Sequence, residues 1–257
     1  EKIAGYFAKA NYFCVFAATV FGVLAYWFRA IRWNLLLEPL GYKISNSNAL
    51  WTISFGYLMN LTIPRSGEVA RSTALYGVEN VPVDKSFGTI ILERVVDLVC
   101  MGFFLLLTFV FKYDAIVSFF QYVTAQNANE PKADSGNKLY LLIGAFVGLG
   151  VLFFAFRKYL TKYSIYQKAI NFTKGIFHGL TSIFKLKQKL KFIVLSLAIW
   201  ICYYFAAYLV CFALPETSEF SFADGFFIIV VGTLGMMVPA SGGIGAFHFA
   251  LKLGIMA

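Results

Sequence analysis

Three charged residues follow one break in the chain at a spacing that places them on a single helical face. Pro64-Arg65-Ser66-Gly67 closes an apolar run, and Arg65, Glu68 and Arg71 then recur every third residue. Side chains three apart on a helix are neighbours. The first turn of a helix presents free backbone N–H groups and the positive end of a dipole, which together favour an anion. Two guanidiniums beside that turn suit a phosphate, because each offers a planar fork of donors. Glu68 can orient one arginine or pair with it. A surface ion pair with no ligand would use the same residues.

A second cluster, Glu93, Arg94 and Asp97, forms a contiguous patch two to three turns into a long apolar helix. Its net charge of −1 needs a partner at membrane depth, and Arg65 or Arg71 is the candidate. A structural network and a role in moving a ligand both fit it. A third group is Pro239, Ser241, Gly242 and Gly243, with Gly245 and then His248. His248 could titrate near neutral pH, or be a hydrogen-bonded structural residue. His178 carries no signal.

The elements that must hold these residues are apolar. Hydrophobic residues make up 60% of the 257, charged residues 14%, and Phe alone occurs 29 times. A soluble domain is nearer half apolar and a quarter charged. Continuous apolar runs approach the roughly 20 residues that span a bilayer as a helix; a barrel would alternate. The net charge of +9 is unevenly placed: residues 157–191 hold nine Lys or Arg and no acid. Residues 215–224 hold Glu216, Glu219 and Asp224 and no base. That asymmetry fits the positive-inside rule rather than nucleic-acid binding, and puts the basic segment in the cytoplasm. The four cysteines all lie in apolar runs without metal-ligand spacing, as inert small hydrophobes do. Neither a metal nor a cofactor is expected. Walker, dinucleotide and nucleophile-elbow motifs are absent from the sequence. The chain starts without Met and stops in an apolar stretch, so flanking helices are expected beyond both ends.

Spans are expected over about 11–28, ending at Arg29, Arg32 and Trp33 as a cytoplasmic boundary, and over 86–111, 139–156 and 192–213. Residues 125–138 read as a solvated loop. Residues 158–191 read as a basic amphipathic helix at the cytoplasmic face, its stripe including Ile170, Thr173, Phe177, Leu180 and Phe184. If the first span ends in the cytoplasm and the helix after Lys85 starts there, residues 49–76 must enter the membrane and return. Limbs of about 12 to 15 residues are too short to cross it, so they form a re-entrant hairpin. Residues 226–255 repeat the plan from the other side. Gly56, seven residues and Pro64-Arg65-Ser66-Gly67 match Gly232, six residues and Pro239-Ala240-Ser241-Gly242. The fold class expected is an all-α polytopic membrane bundle of two inverted-topology repeats, each with a broken-helix hairpin, in one domain over 1–257. Interrupted segments at matching places in opposed halves point to a transporter.

At these residues the sequence resembles the flippase-like family named for the transmembrane region of lysylphosphatidylglycerol synthase. The resemblance rests on Arg32-Trp33 with Leu35-Leu36 and Gly41, on Asn60 with Pro64-Arg65-Ser66-Gly67-Glu68 and Arg71, and on Glu93-Arg94 with Asp97. Pro239-Ala240-Ser241-Gly242-Gly243-Ile244-Gly245 completes it. It implies a multi-pass inner-membrane protein that moves lipids between leaflets or supports their synthesis and export. Arg65, Glu68, Arg71, Glu93, Arg94, Asp97, Ser241 and Gly243 would line a headgroup cavity. Members commonly carry Glu where this chain has His248. Nothing corresponds to the soluble aminoacyl-transferase domain of some members, so no synthase activity is expected. The partners expected are anionic membrane lipids and a second copy of the chain. A membrane-embedded enzyme using Glu68, Glu93, Asp97 or His248 as base or nucleophile is the rival, and an accessory subunit of envelope synthesis the third reading.

Overall fold

The computed structural model describes residues 2–114, 116–118, 121, 164–237, 240 and 243–256. These are all-helical, with no strand among them. The expected span 139–156 and loop 125–138 lie outside them.

After a short α1 (Lys2–Lys9), α2 runs from Tyr12 to Leu37. Asn11 caps α2, its side chain accepting from Phe13 N–H at 3.1 Å. A 3₁₀ turn over Glu38–Leu40 and Gly41 at φ +89° then reverse the chain. α3 (Asn46–Thr62) and α4 (Gly67–Glu79) form an antiparallel hairpin. Its open end is tied where Glu79 accepts from Ser45 N–H at 3.2 Å and from Asn48 at 2.8 Å. Asn80, left-handed at φ 54°, ends α4. Pro82 opens α5, Val83–Phe111. In the second half come α6 (Ser164–Leu180), α7 (Lys189–Cys211), α8 (Phe222–Met237) and α9 (Ala246–Met256).

α2 and α7 pack antiparallel along their lengths. Asn11 N–H donates to the Ala213 carbonyl at 2.7 Å at one end, and Arg32 to Ser196 Oγ at 3.3 Å towards the other. α5 is shared between the halves. Its first part packs with Trp33, Leu37, Ile53 and Leu75 through Ile90, and its second with Trp200, Tyr204 and Ile229 through Phe104. α8 and α9 form a second short hairpin, closed by Gly232 under Phe247 and Gly235 under Ala250.

The outer faces are apolar. Phe13, Phe16, Val23, Val99, Leu106 and Val110 are all exposed. Tyr12–Leu40 and Lys189–Cys211 are long and apolar enough to cross a bilayer, and Phe222–Met237 is a shorter apolar helix.

The first span differs from its sequence boundary. Apolarity stops at Phe28, but α2 continues for nine residues, and Arg29, Arg32 and Trp33 are buried inside the bundle. They are not an interfacial anchor, because their hydrogen-bond and ion-pair partners lie within the bundle, on α5 and, for Arg32, also at Ser196 of α7.

The basic stretch is divided. Its described part is helical to Leu180, turns through a 3₁₀ segment over Thr181–Lys185 and restarts as α7 at Lys189. Gly175 and Gly179 put α6 backbone against α5 at Asp84 and Gly88, the close approach that small residues four apart permit. Phe177 and Phe184 of the expected apolar stripe stay exposed. A Cβ on Gly179 would lie 2.6 Å from the Gly88 backbone. Gly179→Leu is therefore expected to lower stability by about 1–3 kcal/mol in thermal unfolding in detergent. Gly22→Ala, with nothing within 4 Å of its added carbon, should not lower it and is expected to raise it by about 0.5–1 kcal/mol through helix propensity.

Candidate functional site

Four arginines and three carboxylates meet where α2, α4 and α5 cross. Arg29 and Arg32 lie three apart on one face of α2, and Glu93 and Asp97 four apart on one face of α5, so two charged stripes oppose each other. Asp97 accepts from Arg29 at 3.0 Å and from Arg32 at 2.8 Å. Glu93 accepts from Arg71 of α4 at 2.7 Å and lies 3.6 Å from Arg32. Glu68 and Arg94 pair at 3.1 Å on the more exposed rim.

Burial sets the stakes. Arg32 and Glu93 are 0% and 1% exposed, and Arg71 5%. Charges removed from water are stable only when paired and hydrogen-bonded. The pairing is incomplete. Nε and Nη2 of Arg71 have no hydrogen-bond partner, nor has Oε1 of Glu93. The Arg71 guanidinium lies 3.5 Å over the Trp33 ring, and Trp33 is locked by donating from Nε1 to Thr89 Oγ1 at 2.9 Å. Its position is thus fixed by the ring and by Glu93, while one edge of the fork is buried without a partner.

Arg71 lines a small cleft between α3, α4 and α5, with Gly56, Asn60, Gly67, Glu68 and Arg94 around it. The cleft exists because α3 and α4 touch through glycine. A Cβ on Gly56 would lie 2.8 Å from the Gly67 carbonyl, and one on Gly67 would strike the Gly56 carbonyl and the Asn60 side chain. Gly67 N–H, the first donor of α4, is taken by Asn60 Oδ1 at 2.7 Å. Ser66 does not cap α4; its hydroxyl donates back to the Ile63 carbonyl at 2.8 Å.

Arg65 stands at the tip of the hairpin with a left-handed backbone, φ 64°, a conformation an arginine holds only under constraint. Its guanidinium donates to the carbonyl of Met237, the last residue of α8. The tip of the first hairpin therefore touches the turn-side end of the first helix of the second hairpin.

Of the residues singled out in sequence, the structure brings together Gly67, Glu68, Arg71, Glu93, Arg94 and Asp97. The partner expected for the acidic cluster is confirmed in Arg71. It is not Arg65, which reaches α8 instead. Arg29 and Arg32 were missed as members because they follow an apolar run and so read as a boundary; their i, i+3 spacing matching Glu93 and Asp97 is the signal that could have found them. Pro239, Ser241 and Gly242 lie outside the described residues. Gly243 is left-handed at φ 73° and buried against Met236. His248 is exposed, its ring edge-on to Phe247 at 5.7 Å.

The sequence is similar to UPF0104 membrane protein MJ1595 of Methanocaldococcus jannaschii, 28% identical over 122 residues. That alignment takes in 46% of this chain and 36% of the relative. No solved structure matches the chain. The model of the lysylphosphatidylglycerol synthase TM region matches residues 1–257, and the chain is a membrane protein that belongs to that family.

Proposed function

We propose that this chain is a flippase-like lipid translocase that moves an anionic phospholipid or a polyprenyl-phosphate-linked lipid between leaflets of the inner membrane. The observation that carries the reading is the buried Arg71 guanidinium, whose Nε and Nη2 have no hydrogen-bond partner, in the wall of the cleft beside the hairpin tip. An uncompensated donor edge on a buried guanidinium is costly, and at membrane depth such a group is a functional candidate by default.

Helix lengths support re-entrance. At 1.5 Å per residue, α3 and α4 span about 25 and 20 Å and α8 and α9 about 24 and 17 Å, against a hydrocarbon core of roughly 30 Å. The antiparallel packing of α2 on α7 supports inverted repeats, since these helices open the two halves. The contact from Arg65 to Met237 supports a common chamber between the hairpins. In this reading the phosphate sits near Arg65 and Arg71, the tails stay in lipid, and one repeat rocks against the other. Ser66, Gly67, Glu68, Glu93, Arg94 and Asp97 line or frame the headgroup path. The reading assigns headgroup contacts in the second hairpin to Gly243 and His248, and by their sequence motif to Pro239, Ser241 and Gly242. The chain is then multi-pass, with the basic segment 157–191 cytoplasmic.

Purified protein in liposomes should scramble a fluorescent anionic phospholipid, and Arg65→Ala/Arg71→Ala should lose most of that rate. Absence of scrambling, or full activity in the double variant, contradicts the reading. Turnover of radiolabelled lipid by the purified chain would instead favour a membrane-embedded enzyme.

A further inference from the structure

Residues 170–191 keep their close contacts on one side and their bases on the other. Gly175 and Gly179 face α5, where Asp84 lies against Gly175 and the Gly88 backbone against Gly179. Lys174 and Phe177 are turned away from that seam, and both are exposed. The 3₁₀ turn and the first turn of α7 continue this surface with Lys185, Lys187, Lys189 and Lys191, all exposed. None of the five lysines pairs with an acid among the described residues. Asp84, the acid that meets α6, is on the packed side. Three large apolar side chains stand among the bases: Phe177, Phe184 and Leu190 are 66%, 79% and 76% exposed.

We propose that this face docks on the anionic headgroups of the cytoplasmic leaflet, with Phe177, Phe184 and Leu190 entering the acyl boundary between the lysines. The inference rests on the orientation given above, with residues 157–191 cytoplasmic, and not on transport. A lysine near an anionic leaflet gains roughly fivefold in local affinity. An apolar side chain beside it gains by leaving water for the headgroup boundary. The lysine stems can lie along that boundary while their ammonium groups stay among the phosphates. An acidic protein would match the charge, but a protein interface gathers its apolar residues into a core depleted of charge. Here they alternate with lysines, as Phe184-Lys185 and Lys189-Leu190-Lys191. That mixture fits a lipid surface.

Docking would act on α5 as well. α6 meets α5 through glycine backbone and through Phe172 against Phe87, ring centroids 6.5 Å apart. A leaflet that holds the outer face of α6 presses this seam closed from outside, five residues before Glu93 on α5. The anionic surface is then a ligand of the folded arrangement, and a ligand that binds only the folded form suppresses its opening.

The test is amide hydrogen exchange on the full chain in phosphatidylcholine nanodiscs with and without phosphatidylglycerol. With the anionic lipid, exchange over the last turn of α6 and Thr181–Lys185 should slow by at least roughly fivefold, the worth of one lysine. The gain should vanish at about 1 M salt, where the screening length falls to about 3 Å. It should also vanish in Lys185→Gln/Lys187→Gln/Lys189→Gln/Lys191→Gln. If that variant fails to fold, the salt series on the unaltered protein decides. Arg65→Ala/Arg71→Ala should keep the gain while losing transport. Equal protection in the two membranes overturns the proposal and leaves this face to a protein partner. So does a gain that survives high salt or the glutamine variant, or one lost in Arg65→Ala/Arg71→Ala, since the lipid would then act from elsewhere. Protection without scrambling leaves this inference standing and sinks translocation; scrambling without protection does the reverse.

Discussion

Asp97→Asn is expected to destabilise the protein by about 3–5 kcal/mol, because it strips the shared counter-ion from two buried arginines. Arg29 and Arg32 are 4% and 0% exposed at their side chains and both donate to Asp97. An amide can still accept one hydrogen bond, but it supplies no charge. Arg32 then keeps only Glu93 at 3.6 Å and Ser196 at 3.3 Å, and Arg29 loses its closest anion. Glu68→Gln removes the same kind of group from a pair whose side chains are 25% and 46% exposed. There the loss should be within about 1 kcal/mol. Thermal unfolding of both variants in detergent checks the contrast. Equal shifts would mean that the inner network is as well solvated as the rim.

Gly67→Val is expected to be the most damaging single change at the hairpin. Its Cβ meets the Gly56 carbonyl and Asn60, and a backbone carbonyl cannot swing away as a side chain can. The helices must part, at a cost of about 1–3 kcal/mol or somewhat more for a branched residue. The greater consequence is geometric. Arg71 lies one turn along α4 and reaches Glu93 at 2.7 Å, so parting α4 from α3 shifts the guanidinium off its partner. Lipid scrambling should fall by at least roughly tenfold, since angstrom-scale misplacement of binding groups has effects of that order. Retention of wild-type scrambling together with an unchanged melting temperature would show that the close α3–α4 contact is dispensable.

Much of this arrangement was legible in sequence because membrane helices write their limits in apolarity. The break at Pro64 and the helix start after Ser66 followed from spacing. The long helix expected from about Ser86 begins at Val83. Arg71 was one of two partners expected for the acidic cluster from the cost of charge in lipid. The end of the first span did not. Arg29 and Arg32 look like a positive boundary, and only the three-dimensional approach of α5 shows that their charge is neutralised within the bundle. The packing of α6 was hidden for a related reason. Its periodic aromatic stripe marks a surface that prefers an apolar medium, whereas the face that meets α5 includes Gly175 and Gly179, which contribute little to any hydrophobic pattern. Contacts made by glycine backbones and by buried ion pairs leave weak marks in a hydropathy profile, and both converge on this site.

The depth of the two hairpin tips in the bilayer tests the central claim most directly. Spin labels at Ile63 and Met237, both exposed and both beside the turns, can be placed in reconstituted membranes by collision with oxygen and with a water-soluble nickel complex. The account predicts that both labels sit near the midplane and within range of each other. Labels found in the aqueous phase on opposite faces would make each hairpin a pair of full crossings, and the cleft beside Arg71 would then have no partner across the membrane.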